Sequence, residues 1–307
     1  MKVYRDISQI ETPGKSVATV GTFDGFHLGH QSILEKIKKI AAAKNLLSTI
    51  VTFDPHPKKV LGNPNAGEVS ILTTTEEKLR IFREAQIDQV AVIPFNREFA
   101  KIPPAEFVRK ILVEKLAVKE MVIGHDHHFG RNRQGGLEEL QQLGRELQFS
   151  VSRVPGFSLN GELISSSLIR KLLEAGEVEK AARYMGRPYS LFGVVVKGDG
   201  RGKKMGFPTA NIDSHHEDKL IPATGVYAVD VVMEMLLYKG MMNIGIRPTF
   251  EFDSLTLEVH IFNFDAQIYG KPLEVRFKKF IRPERKFPGM EALREQLLKD
   301  KQICENT

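Results

Sequence analysis

The chain has no tryptophan and a single cysteine, Cys304, among its 307 residues. One cysteine cannot form an internal disulfide, and it excludes a zinc site built from several thiolates. Cys304 falls in a polar tail, Lys299–Thr307, which argues against a catalytic thiol. Met1–Ile10 carries charges and no apolar core, so a signal peptide is not expected. Because no apolar run is long enough to cross a bilayer, we expect a cytoplasmic enzyme without a membrane partner.

The chain lacks a strong excess of either positive or negative charge. Lys and Arg number 44 against 38 Asp and Glu, a net charge of +6. This excess could attract phosphorylated small molecules or nucleic acid. No basic block interleaved with aromatics occurs, which favours dispersed surface charge over a nucleic-acid patch. A hydrophobic content of 42% and a charged content of 27% are typical of a soluble globular protein, and the length suits two domains.

The first half alternates between strand and helix patterns. Strands are predicted at 17–21, 48–53, 89–94, 120–124 and 149–154, and helices at 31–44, 76–85, 104–116 and 137–147. This alternation predicts an α/β domain with a parallel sheet and helices on both faces, where ligands bind beyond the carboxyl ends of the strands.

The pattern changes after two short predicted helices, 165–175 and 178–185. Gly186-Arg187-Pro188 ends them and sets the predicted domain boundary, giving domains 1–186 and 187–307. Strands are then predicted at 190–196, 225–233, 239–244, 255–262 and 273–280, and a closing helix at 290–299. Short strands with Gly- or Pro-containing connections indicate an antiparallel sheet or small barrel.

The most informative motif is Gly21-Thr22-Phe23-Asp24-Gly25-Phe26-His27-Leu28-Gly29-His30. The spacing of His27 and His30 places both imidazoles on one face of the first turn of a helix. That turn offers unpaired N–H groups and the positive end of the helix dipole, and Gly25 and Gly29 allow close approach. A lone loop histidine is usually solvated, but strand, His-x-Gly-His and helix together predict a cradle for nucleotide phosphates. A P-loop is excluded because no Walker A pattern occurs.

Other pieces of the first half could converge on ATP. Thr52–Pro57 ends the second predicted strand, and Ile164–Arg170 supplies serine hydroxyls and a guanidinium at a helix start. The serines could equally be an ordinary helix cap, and His56, between prolines, could be a rigid turn residue. The cluster Gly124–His128 could bind a metal, but its place after a strand favours a substrate loop.

The second half carries a glycine-rich basic loop, Gly198–Gly206, followed by Phe207-Pro208-Thr209-Ala210-Asn211. Exposed N–H groups of such a loop suit phosphate oxygens, and Thr209 and Asn211 oxygens suit Mg²⁺. A solvated hairpin turn is the alternative. Glu258 lies in an otherwise apolar strand, where it could face solvent or accept a hydroxyl proton during phosphoryl transfer.

Together these motifs resemble those of the bifunctional bacterial riboflavin kinase/FMN adenylyltransferase (FAD synthetase) family. The resemblance covers nearly the whole chain and extends to Gly225–Ala228, Asn243–Phe250 and Arg282–Phe287. It implies a Rossmann-like nucleotidyltransferase domain and a six-stranded Greek-key barrel. It also implies two ATP-dependent steps, phosphorylation of riboflavin to FMN and adenylylation of FMN to FAD.

The resemblance also implies roles for particular residues. In the N-terminal half, ATP binding falls to Gly21, Phe23, Asp24, Gly25, His27, Gly29, His30, Ser165, Ser166, Ser167 and Arg170. Flavin binding there falls to Asp54, His56, Pro57, Asp126, His127 and Phe129. In the C-terminal half, ATP binding falls to Gly198, Gly200, Gly202, Lys203, Gly206, Pro208, Thr209 and Asn211, with Mg²⁺ on the last two. Riboflavin binding falls to Arg282 and Phe287, and catalysis to Glu258, His27 and His30.

Several alternatives remain at this stage. His127 and Asn263 depart from the family's usual residues, so one module could have lost its activity. A flavin-responsive nucleic-acid-binding regulator would show salt-sensitive binding, and a nucleotidyltransferase for another substrate would share the His-x-Gly-His element. The expected partners are riboflavin, FMN and ATP, and a homo-oligomer is left open.

Overall fold

The computed structural model describes residues 1–11, 14–62, 70–125, 136–198, 200, 202, 205–214, 216–248 and 253–307. Asp126, His127, Phe129 and Lys203, to which the resemblance gives binding roles, lie outside these residues. The chain divides into two compact units, Met1–Ser166 and Ser167–Thr307.

The first unit is built on a six-stranded parallel sheet. Its strands are β1 (Lys2–Tyr4), β2 (Ser16–Val20), β3 (Leu47–Asp54), β4 (Gln89–Pro94), β5 (Val118–Ile123) and β6 (Ser150–Arg153), in the order β1-β4-β3-β2-β5-β6. Every neighbouring pair is parallel. The parallel sheet is confirmed, but the sequence pattern missed β1, because three residues are too few to show a period of two.

Helices connect these strands. They are α1 (Leu28–Lys44), α2 (Pro57–Leu61), α3 (Thr75–Glu84), α4 (Pro104–Phe107) and α5 (Leu137–Leu147). The helix predicted over 104–116 is α4 followed by a π-helical stretch, Val108–Lys115. A small hairpin of β7 (Ser158–Leu159) and β8 (Glu162–Leu163) follows the sheet.

Both faces of the sheet are covered, as the sequence predicts. Val17 packs with Ile33 and Ile37 of α1 on one face. Ala18 and Val20 pack with the helical segment 104–115 and with α5 on the other. Because successive strand residues point to opposite faces, β2 is buried along its whole length.

The second unit centres on a closed antiparallel barrel. Two helices, α6 (Ser166–Glu174) and α7 (Val178–Met185), lead to it. Its strands are β9 (Ser190–Val196), β10 (Ala210–Asp213), β11 (Gly225–Met233), β12 (Leu236–Pro248), β13 (Asp253–Ile261) and β14 (Pro272–Arg282). The order β10-β13-β12-β11-β14-β9 brings β10 back beside β13, which is a Greek-key arrangement. The predicted barrel is confirmed, and β10 is the strand that the pattern missed.

The expectation of a polar tail at the C-terminus is wrong. The last helix, α8 (Met290–Glu305), runs well past the predicted end, and Cys304 is buried with Phe207 and Phe262. Leu297, Asp300 and Cys304 recur at helical spacing, so they share the inner face of the helix, while Lys299 and Gln302 between them are exposed.

Candidate functional sites

The His-x-Gly-His segment forms the start of α1, directly beyond the carboxyl end of β2. His27 is the residue that caps the helix, and its ring stacks on that of His30 with centroids 3.8 Å apart and planes at 21°. Gly29 permits this packing, because a Cβ there would lie 3.1 Å from the His27 ring. The structure therefore brings the two imidazoles together as their spacing predicts.

His30 is surrounded by aromatic rings. Phe23 meets its ring edge-on at 5.2 Å, and its Nδ1 is buried and has no hydrogen-bond partner among the described residues. Burial lowers the pKa of His30 well below its usual value, with further contributions from His27 and Lys78. The His30 ring is thus neutral at physiological pH and can offer a hydrogen bond rather than a fixed charge.

Asp24 and Gly25 hold the loop before α1 in place. The buried Asp24 carboxylate accepts hydrogen bonds from the backbone N–H groups of Leu72 (2.8 Å) and Thr73 (2.9 Å). Gly25 has a φ of +80°, and a Cβ there would lie 2.8 Å from Leu72. The described contacts of the Asp24 carboxylate therefore stabilise the loop from inside the protein.

The serine-rich segment reaches the same loop. Ser166 donates a hydrogen bond from Oγ to the backbone carbonyl of Asp24 at 2.8 Å, and it begins α6. Ser165 precedes it, while Ser167 and Arg170 continue along α6. The hydroxyl of Ser166, the last residue of the first unit, thus holds that end of the unit against the loop that leads into α1.

The segment after β3 forms a short helix start. Asp54 ends β3 and is exposed, and Pro57 is the first residue of α2. His56 caps α2 by accepting the Lys58 N–H at its Nδ1, 3.1 Å away. This bond fits the interpretation of His56 as a turn residue, and it leaves the ring half-buried at the edge of the sheet.

Sequence reasoning missed Lys78. Its side chain is buried, and its Nζ donates to the backbone carbonyl of Thr22 at 3.3 Å. Burial lowers the pKa of Lys78, and the carboxylates of Asp24 and Asp54 oppose that shift. The capping box of Thr74 and Glu77 marks the start of α3, but that sequence pattern does not predict that the Lys78 side chain is buried.

In the second unit, β10 and β13 bring together the predicted magnesium and proton-transfer groups. Asn211 is directly opposite Glu258 in the ladder, and Thr209 Oγ1 donates to Glu258 Oε2 at 3.2 Å. The Asn211 amide lies so close to Gly198 that a Cβ at that glycine would clash with it. Hydroxyl, amide and carboxylate oxygens therefore converge on one corner of the barrel.

The glycine-rich loop folds back on the start of this segment. The Gly202 carbonyl accepts the N–H of Phe207 at 2.9 Å, and a Cβ at Gly202 would clash with the Phe207 carbonyl. Gly200 and Gly206 have φ values of +67° and +81°. This geometry is compatible with a solvated turn and with a phosphate loop, and the close packing joins Gly202 to Phe207, three residues before β10.

His260 is a second residue that sequence reasoning missed. It is buried on β13, and its ring Nδ1 lies 2.7 Å from the carbonyl of Pro208. In a strand, every second residue faces the same side of the sheet, so a histidine within an apolar strand can be an inward-facing polar group. Its hydrogen-bond partner, 52 residues away, cannot be identified from the sequence.

Arg282 and Phe287, the predicted riboflavin residues, are adjacent in the structure. The guanidinium of Arg282 lies 5.5 Å from the Phe287 ring centroid, and its Nε and Nη2 donate to the fully buried Asp300 at 2.9 and 2.8 Å. Asp300, on α8, therefore fixes the orientation of Arg282 on β14.

The described ranges contain no group of three or more His, Cys, Asp or Glu side chains that could hold a metal ion. Within the same ranges, no helix has both the length and the apolar character needed to cross a membrane.

Each unit thus gathers groups suited to phosphate chemistry in one place, and together they define a transferase with two nucleotide-handling modules. Comparison with known families agrees. The FAD synthetase model matches residues 9–168, and the riboflavin kinase model matches residues 185–307. The chain belongs to the family of bifunctional riboflavin kinase/FMN adenylyltransferases.

Curated relatives carry that description across their length. The protein from Listeria monocytogenes is 40% identical over 93% of this chain and 90% of its own. The Bacillus subtilis protein is 36% identical (95% and 92% covered), and that of Escherichia coli K12 is 34% identical (98% and 96%). The predicted pair of activities is confirmed, with adenylyltransferase in the N-terminal module and riboflavin kinase in the C-terminal module.

A solved structure shows the same fold over the whole chain. It comes from Streptococcus pneumoniae under the description macrolide-efflux protein, with 30% identity and a TM-score of 0.90 over 99% of this chain and 98% of that one. The likeness supports the two-module architecture.

Proposed function

We propose that riboflavin is phosphorylated where β10 meets β13. The ribityl 5′-hydroxyl attacks the γ-phosphorus of ATP, the bond to the ADP oxygen breaks, and Glu258 accepts the hydroxyl proton. The observation that carries this proposal is the convergence of Thr209, Asn211 and Glu258. A carboxylate within hydrogen-bond reach of its neighbours at this corner can act as a general base.

The same corner fits a magnesium ion. Mg²⁺ prefers oxygen ligands and retains waters, so it binds through few protein groups and the phosphates of its nucleotide. The Thr209 hydroxyl and Asn211 amide oxygens would hold it beside the phosphates. When bound, the ion neutralises charge on the transferred phosphoryl group.

The flavin and the nucleotide occupy neighbouring parts of the kinase module in this proposal. Gly198–Gly206 covers the phosphates with backbone N–H groups. Phe287 presents an aromatic face beside the Arg282 guanidinium, which suits the flat ring system of riboflavin. The buried bond to Asp300 keeps that guanidinium in place.

Adenylylation would occur at the carboxyl edge of the parallel sheet. The FMN phosphate attacks the α-phosphorus of ATP, and pyrophosphate leaves. His27, His30, Ser165, Ser166 and Arg170 would bind the triphosphate. The helix start supplies N–H groups, and neutral His30 can donate a hydrogen bond without adding a buried charge.

The remaining assignments follow the same division. Residues 1–186 and 187–307 are the proposed functional modules, and the expected partners are the small-molecule substrates rather than nucleic acid. Asp54, His56 and Pro57, which lie at the end of β3 and the start of α2, are the proposed flavin contacts of this module.

Two variants and product chromatography test the placement of the sites. Glu258→Gln should abolish FMN formation from riboflavin while FAD still forms from supplied FMN, because the amide cannot accept the proton. His30→Ala should reduce FAD formation and leave FMN formation intact. Glu305→Gln and His216→Ala, both exposed on the second unit, are the matched controls. Loss of both activities in either variant would contradict separate sites.

Chelation tests the magnesium proposal. Excess EDTA should stop both reactions, because the triphosphate charge is then not neutralised, and added Mg²⁺ should restore them. Initial rates measured before and after each addition provide the check. Continued FMN formation in excess EDTA would refute a magnesium ion at Thr209 and Asn211.

A further inference from the structure

Lys78 is a buried cation with few partners. Only 3% of its surface is exposed, and the single hydrogen bond of its side chain among the described residues is the long one to the Thr22 carbonyl. An ammonium group has three N–H donors. Burying a charge with most of its donors unused is costly unless a ligand completes them.

The position of Lys78 makes that cost larger. It lies in the first full turn of α3, which Thr74 caps, and a helix start carries positive partial charge that disfavours a cation. The carboxylate of nearby Asp24 already accepts two backbone hydrogen bonds. Coulombic attraction to the carboxylates of Asp24, Asp54, Glu76 and Glu77 offsets part of that cost. The hydrogen bond of the ammonium itself goes to the Thr22 carbonyl and not to any of these four carboxylates.

The ammonium faces the edge of the sheet where ligands bind. Thr22, its partner, lies two residues beyond β2, and the ring of Phe23, the next residue, packs on His30 at 5.2 Å. Lys78 also acts electrostatically on His30 and Asp54. The lysine and the imidazole pair therefore lie at the same edge of the sheet, beyond the carboxyl ends of β2 and β3, where ligands bind in such folds.

We propose that Lys78 binds a phosphate oxygen of the substrates in the adenylyltransferase site. The inference rests on the proposed placement of that site. Two anions meet there, the FMN phosphate and the ATP triphosphate, and a fixed cation lowers their repulsion and stabilises the charge that develops on the α-phosphate. Lys78 completes its own hydrogen bonds when the phosphate enters.

The test is Lys78→Met, which keeps length and apolar character but removes the charge. We expect kcat/KM for FAD formation to fall about 100-fold, the size seen when one transition-state donor is lost. Riboflavin kinase activity of the same protein should stay within about twofold. The melting temperature should hold or rise, because an underpaired buried charge is gone. Lys78→Arg should recover part of the loss. In Lys78→Met, the substrate whose KM rises more, ATP or FMN, is the one whose phosphate Lys78 binds.

Two results would overturn the proposal. One is FAD formation in Lys78→Met close to that of wild type. The other is a joint fall in melting temperature and kinase activity, which would make the lysine structural. Lys39→Met, an exposed change on α1, is the matched control. His30→Ala is measured alongside: if it too leaves FAD formation unchanged, the proposed site itself is wrong, whereas an effect of His30→Ala alone rejects only the role of Lys78.

Discussion

His30 is held uncharged at the start of α1 because its ring is buried beside a second imidazole and near an ammonium group. A neutral imidazole can donate through one ring nitrogen and accept through the other. In a reaction between two phosphates, such a group orients the triphosphate without the cost of burying another charge. The cationic part of the site then falls to Lys78 in the arrangement we propose.

Cys304 illustrates how one residue's surroundings decide its reactivity. Burial, followed by the nearby carboxylates of Asp300 and Glu305, raises the pKa of the Cys304 thiol to about 12. Since the thiolate is the reactive form, we expect almost no modification by a thiol reagent at pH 8 in the native protein. One equivalent should react in urea. Colorimetric titration checks this, and prompt reaction of the folded protein would contradict the buried position.

At the scale of elements, the kinase corner depends on the ladder between β10 and β13. The ladder pairs Ala210 with Val259 and Asn211 with Glu258, and Pro208, two residues before Ala210, has no N–H to donate to a ladder. His260 continues the attachment by side chain, with its Nδ1 on the Pro208 carbonyl. The imidazole therefore positions Thr209 over Glu258.

This attachment predicts different effects for two substitutions. His260→Leu removes the donor, so Thr209 should shift and riboflavin kinase kcat/KM should fall about tenfold or more. His260→Asn should keep much of the activity, because its amide N–H occupies the place of Nδ1–H. Steady-state kinetics with varied ATP provide the measurement.

The adenylyltransferase activity of the same protein serves as the internal reference for these variants. It should not change in either, since His260 lies in the second unit. Equal kinase activity in the Leu and Asn variants would show that the hydrogen bond has no positioning role.

At the scale of the whole molecule, buried histidines make stability depend on pH. His30 and His260 both have a folded-state pKa below the usual value, in each case first through burial. Below about pH 6.5 the unfolded chain binds protons that the folded chain does not, so the free energy of unfolding should fall as the pH drops from about 7 to 5. Above that window their contribution should be constant.

Urea unfolding at several pH values tests this expectation. The decrease toward acid should be smaller in His30→Gln, because that variant removes one of the two groups. A free energy of unfolding that stays level or rises between pH 7 and 5 would contradict the buried neutral state of these rings.

The local sequence pattern was sufficient to predict most helices and strands and to identify the motifs of both modules. Strand β4 and helices α5 and α7 begin and end where their patterns predict, because their apolar residues repeat at the period of the element. The His-x-Gly-His turn was predictable for the same reason, since its geometry depends on neighbours in sequence. Short elements such as β1 and β10 were not, because pairing with a distant strand defines them.

The amino-acid sequence by itself determined the two modules, their order and the identity of the residues in each signature. Tertiary structure alone decided that Lys78 reaches the Thr22 carbonyl, that His260 reaches Pro208 and that Asp300 holds Arg282. The physical reason is that each of these contacts joins a side chain to a group that is remote in the chain. The periodicity of apolar residues predicts which face of an element is buried, but only the packed structure shows which polar group on another element a buried side chain contacts.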